Sequence, residues 1–79
     1  MNLVQIVQLS VCGFVSARAE DHKRDGNDAY NKKDFSKAIY FYTEGIKVEC
    51  KDEELNAKLF NNRATAHFYL GKVLNESPI

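Results

Sequence analysis

Phe35-Ser-Lys-Ala-Ile-Tyr-Phe-Tyr-Thr-Glu-Gly-Ile-Lys-Val48 is the stretch on which the fold turns. Phe35, Ala38, Ile39, Tyr42 and Ile46 recur at i, i+3, i+4, i+7 and i+11, a single apolar stripe of helical period. Asp34, just before it, is a good N-cap, because a carboxylate can accept from the unpaired amide N–H groups of a first turn. The stripe predicts a helix over 35–48.

Outward from this stripe the pattern repeats less cleanly. On the N-terminal side, Asn31-Lys-Lys-Asp34 is a short polar turn, and 19–32 reads as a helix with Ala19, His22, Gly26, Ala29 and Tyr30 on one side. On the C-terminal side, Cys50-Lys-Asp52 breaks the period, and Asp52, Glu53 and Glu54 put negative charge where a helix N-terminus favours it. A third helix over 53–70 then carries Leu55, Leu59, Phe60, Ala64, His67, Phe68 and Leu70, with Gly71 placed to end it. The chain therefore reads as all-α: an apolar N-terminal extension at 1–18, a helical body at 19–72 and a tail at 73–79.

Glycine inside a helix costs about 1 kcal/mol relative to alanine, so its presence points to close approach of another element. Gly26 and Ala38 fall on successive helices joined by the polar turn, and the expectation is that they meet, with Tyr30, Phe35 and Tyr42 packed around them. For all five residues the reading is core packing.

Size and charge bound the function. A chain of 79 residues forms at most one small domain, with little room for a catalytic cleft. Eleven Lys+Arg against eleven Asp+Glu leave no net basic footprint for nucleic acid. No apolar run reaches the roughly 18 residues of a bilayer-spanning helix. Two cysteines, Cys12 and Cys50, are too few for a disulfide framework, and neither stands in an activating context. His22 and His67 have no metal-ligand spacing around them, and no phosphate loop or nucleophile motif is present. The expectation is no metal, no cofactor and no catalysis.

The leader has two readings. Its apolar stretch and Ala17-Arg18-Ala19 fit a secretory signal with a small-x-small cleavage site, but no basic residue precedes the stretch, and Gln5, Gln8 and Ser10 interrupt it. The alternative is a packed extension, with Leu3, Val4, Val7, Val11, Phe14 and Val15 on one helix face. Asn75-Glu-Ser77 matches a glycosylation acceptor, which matters only for a secreted chain.

Gly26, Asp34-Phe35, Ala38 and Tyr42 occur at offsets that resemble the tetratricopeptide repeat, a helix-turn-helix unit of about 34 residues. Departures are His22 for the family's Trp, Asp25 for its Leu, Ala29 for its Tyr and Cys50 for its Pro. A second copy begins at Leu59-Phe60-Asn61-Asn62-Arg63-Ala64, with Ala64 in the glycine's place and a longer loop between repeats. The resemblance spans 19–72 and implies a helical hairpin plus the first helix of a second repeat.

A narrower resemblance concerns binding. Lys23, Gly26 and Asn27 are similar to the Lys-x-x-Gly-Asn signature of repeats that clamp chaperone C-terminal carboxylates, and Asn62-Arg63-Ala64 is similar to the Asn-Arg-(Ala/Ser) signature of the next helix. Lys23 and Asn27 share a helix face at i and i+4. An ammonium supplies charge for a carboxylate, and side-chain amides donate hydrogen bonds to its oxygens. The resemblance implies a cytoplasmic or nuclear co-chaperone adaptor, with Lys23, Asn27 and Asn62 recognising the acidic C-terminal peptide of heat-shock protein 90 or 70. In that family a third repeat supplies further basic residues. The alternative is a truncated, marginally stable product without peptide binding. A third reading places such repeats beside a phosphatase or prolyl isomerase, whose catalytic domain this sequence does not contain. The third helix, lacking its hairpin mate, is expected to expose Leu59, Phe60 and Phe68, to self-associate, or to be covered by Leu3, Val7, Val11 and Phe14 of the leader.

Overall fold

The computed structural model describes the backbone of residues 3–75 and the side chains of residues 16–74. Its elements are α1 (Leu3–Asn31), α2 (Phe35–Lys47) and α3 (Glu53–Asn75), with no strand among the described residues. α2 lies between the others and packs extensively on both, while α1 and α3 touch over a short stretch. The arrangement is a tetratricopeptide-like helical hairpin followed by a third helix.

Local chemistry explains each break. At the end of α1 the Lys33 N–H donates to the Tyr30 carbonyl at 2.9 Å and the Asp34 N–H donates to the Ala29 carbonyl at 2.9 Å. That pair of bonds is the Schellman closure, which requires a left-handed residue between them. Lys33 supplies it at φ 64°, where glycine is usual. Asp34 then caps α2, its carboxylate accepting from the Lys37 N–H at 3.2 Å. In the second connection, Glu49 turns the chain at φ 56°. Asn56 donates to the Cys50 carbonyl at 2.7 Å, and Asp52 accepts from the Leu55 N–H at 3.1 Å, capping α3.

The core is built from small residues and two large anchors. Ala19, Ala29, Ala38, Cys50, Leu55 and Ala66 are buried around Tyr42 and Leu59, the largest fully buried side chains. The α2 stripe lies where the period puts it, with Ala38 and Tyr42 buried and Phe35, Ile39 and Ile46 partly so. Gly26 faces the ring of Tyr42: a Cβ there would stand 2.5 Å from Cε1. Its close neighbour is thus an aromatic face rather than Ala38. Gly45 is a second such position, where a Cβ would lie 2.9 Å from Leu59 Cδ2 and 3.3 Å from His22 Cβ. α1, α2 and α3 converge at that glycine.

Four expectations change. α1 begins at Leu3, so the stretch before Ala19 prolongs the first helix and does not return to cover α3; its side chains through residue 15, Cys12 among them, lie outside the described residues, as do Glu76, Ser77 and Pro78. α3 runs past Gly71 to Asn75, with that glycine in helical backbone and open space where a Cβ would stand. Leu59 is fully buried against Gly45 and is no part of the exposed face, which comprises Phe60, Phe68, Tyr69, Val73 and Leu74. Ala64 is exposed, and Ala66 two residues later is the buried alanine of α3.

The two helical glycines at 26 and 71 should respond oppositely to one substitution. Gly26→Ala should cost about 1–3 kcal/mol by overpacking against Tyr42. Gly71→Ala, in open space, should gain about 0.5–1 kcal/mol of helix propensity. Urea titrations of both variants check this; two shifts of the same sign would contradict the packing.

Candidate peptide-binding site

Lys23, Asn27 and Asn62 come from two helices that are distant in sequence. Asn27 follows Gly26 on α1, and the absence of a side chain at Gly26 lets the Tyr42 ring lie flat enough for its hydroxyl to reach Asn27. The Tyr42 hydroxyl donates to Asn27 Oδ1 at 2.6 Å. Asn62 Nδ2, 35 residues further along, donates to the same oxygen at 3.3 Å. One carbonyl oxygen thereby takes a bond from α2 and a bond from α3. With both lone pairs of Oδ1 engaged, the two N–H donors of Asn27 and the second N–H of Asn62 are the groups that a ligand's acceptor would meet.

Tyr30, Tyr42 and Thr65 join the two asparagines around a cavity of about 200 Å³. Lys23 lies one turn before Asn27 on α1, its side chain mostly covered, its ammonium 3.3 Å from Glu20 Oε2. Glu20 is exposed, and such surface pairs contribute about 0–1 kcal/mol. An incoming carboxylate can therefore displace it at small cost. The two asparagine amides thus present N–H donors at this cavity, and Lys23 stands one turn away on α1.

The remaining repeat positions divide by role. Tyr30 and Phe35 are half-buried and meet edge to face with centroids 5.4 Å apart. Ala38, on the packed side of α2, is fully buried. Ala64, matched to the glycine's place, is exposed on α3. His22 is half-buried beside Gly45, as a packed ring. Thr65 and Tyr42's hydroxyl were not among the sequence-derived site residues, and they join the site only through the packing of α2 and α3 on α1. Arg63 lies over the Phe60 ring at 5.3 Å and donates to Thr43 at 3.3 Å, fastening α3 to α2.

The chain is similar to tetratricopeptide repeat protein 4 of Mus musculus, 48% identical over 60 residues, which are 76% of this chain and 16% of that protein. The human protein of the same name is 50% identical over 54 residues, 68% of this chain and 14% of its own length. The Hsp70/Hsp90 co-chaperone CNS1 of Saccharomyces cerevisiae is 40% identical over 52 residues, 66% of this chain and 14% of that protein. The chain thus spans about one-sixth or less of the length of these relatives. No family model matches it. No solved structure matches it.

Burial, with the neighbouring Tyr30 phenol adding, raises the Tyr42 hydroxyl above its ordinary pKa of 10.0. The neutral form is favoured in the fold, so the unfolded chain loses its proton first as pH rises. Stability from this group is complete below about pH 10 and is lost as pH climbs towards the raised folded value. Tyr42→Phe should cost about 1 kcal/mol at neutral pH, through the lost bond to Asn27, and should flatten the alkaline decline. Denaturant melts at pH 7 and pH 10.5 check both; an unchanged alkaline slope would contradict the assignment.

Proposed function

We propose that this chain is a non-catalytic protein-interaction module, a co-chaperone adaptor acting in the cytoplasm or nucleus. Its ligand is the acidic C-terminal peptide of heat-shock protein 90 or 70, held by Lys23, Asn27 and Asn62 acting as part of a carboxylate clamp. The observation that carries this reading is the meeting of Asn27 and Asn62 at one hydrogen bond, with Lys23 a turn away on the same face. Similarity to a yeast protein named as an Hsp70/Hsp90 co-chaperone supports the choice of partner. The site chemistry fits as well: one ammonium and several amide N–H donors match an acceptor-only carboxylate, which a cation or an apolar ligand would not need.

Binding through a terminal carboxylate makes affinity depend on that group and on salt. Titration of the purified chain with a Glu-Glu-Val-Asp peptide should show weaker binding after C-terminal amidation and at raised ionic strength. Lys23→Ala should cost about 1–2 kcal/mol, the scale of a charge-assisted hydrogen bond. Equal affinity for the free acid and the amide would overturn the reading.

A further inference from the structure

A second concavity adjoins the asparagine cavity and has a different character. It encloses about 430 Å³ at the closed end of the α1–α2 hairpin, walled by Tyr30, Phe35, Tyr69 and Val73. Tyr30 lines both cavities, so they border one another at its ring. The three rings pack on one another, Phe35 and Tyr69 stacked at 5.8 Å and Tyr30 edge-on to them at 5.4 and 6.1 Å, and their outer surfaces line the hollow. Tyr69 is 38% exposed and Val73 51%, an unusual degree of exposure for large apolar side chains grouped round one hollow. Volume and composition fall in the range of pockets that take one anchoring side chain.

The rim is basic. Lys33 and Lys72 both border the cavity, and no Asp or Glu lines it. Neither ammonium has an ion-pair partner among the described residues, whereas Lys23, Lys47 and Lys58 all do. Lys33 is held in place by the left-handed closure of α1, and Lys72 by the last turns of α3. Two fixed positive charges flanking an aromatic hollow complement a chain segment of opposite pattern.

We propose that this cavity docks an acidic peptide segment, laying one large apolar or aromatic side chain in the hollow against the Tyr30–Phe35–Tyr69 cluster while flanking carboxylates meet Lys33 and Lys72. Recognition here needs no free C-terminus, so it stands apart from the carboxylate clamp.

The probe is a fluorescein-labelled peptide, Asp-Asp-Phe-Asp-Asp with its C-terminus amidated, titrated into the full chain by fluorescence anisotropy. Amidation removes the group on which the clamp depends. Replacing the central Phe by Ala should weaken binding about tenfold or more, as loss of an anchor side chain does. The double variant Lys33→Asn, Lys72→Gln should weaken it about tenfold and reduce its salt dependence. Asn tolerates the left-handed backbone at position 33, so the turn is kept, and far-ultraviolet dichroism verifies the fold. Lys51→Gln, an exposed lysine away from the cavity, should leave the affinity unchanged. Equal binding of the Phe and Ala peptides, no binding by either, or indifference to the lysine substitutions would overturn the proposal. So would a dimer in sedimentation that the peptide does not dissociate, because a second copy would then be the occupant.

Discussion

A single side-chain oxygen ties the three helices together. Asn27 Oδ1 on α1 accepts from Tyr42 on α2 and from Asn62 on α3, and much of the packing answers to that point. Tyr42 can present its hydroxyl there only because Gly26 leaves room for its ring. Each bond contributes about 1 kcal/mol net, but losing a partner inside a covered site costs about 1–3 kcal/mol. The constraint is therefore more severe than its direct energy suggests. It also gives the candidate site its form, since the same three residues wall the small cavity.

A second constraint is the closeness of the helices. α2 is flanked by contacts at Ala38 and Gly45, and with so little side chain at those points its neighbours approach to van der Waals distance. Leu59 fills the space at Gly45 and is buried as a result, while Phe60, Phe68, Tyr69, Val73 and Leu74, spread round α3, stay at the surface. In stacked helical arrays each unit buries its apolar face on the next, and such a face is the natural place for a neighbour. Tyr69 and Val73, on the same side of α3 as buried Ala66, line the aromatic hollow with Tyr30 and Phe35.

The sequence was most legible where one period governs. The α2 stripe, its Asp34 cap and the α1 positions Ala19, Gly26 and Ala29 are all where helical spacing puts them. It was least legible where burial depends on a partner. In α3 two phenylalanines are exposed and a plain alanine, Ala66, is buried, because the helix has only one packed side. Periodicity alone gives no hint which side that is. Gly71 reads as a helix end but lies inside α3, since a glycine stops a helix only where the chain has another conformation to adopt. Lys33 shows the reverse, a turn of glycine type made by a residue that propensity would not select. Of the candidate site, Asn27 and Asn62, matched by motif spacing, are brought to one hydrogen bond, with Lys23 one turn away on α1. The bond from Tyr42 to the same oxygen has no counterpart in motif spacing, because it depends on how α2 packs across Gly26.

The central claim is that Asn27 and Asn62 are coupled across that distance. A double-mutant cycle with Asn27→Ala, Asn62→Ala and the combined variant, read by urea denaturation, isolates the pairwise energy from the separate losses. The account predicts that the two substitutions together cost less than the sum of each alone, by about 0.5–1.5 kcal/mol. Strict additivity would mean that α1 and α3 do not meet at this pair, and would contradict both the register of the repeats and the site built on it.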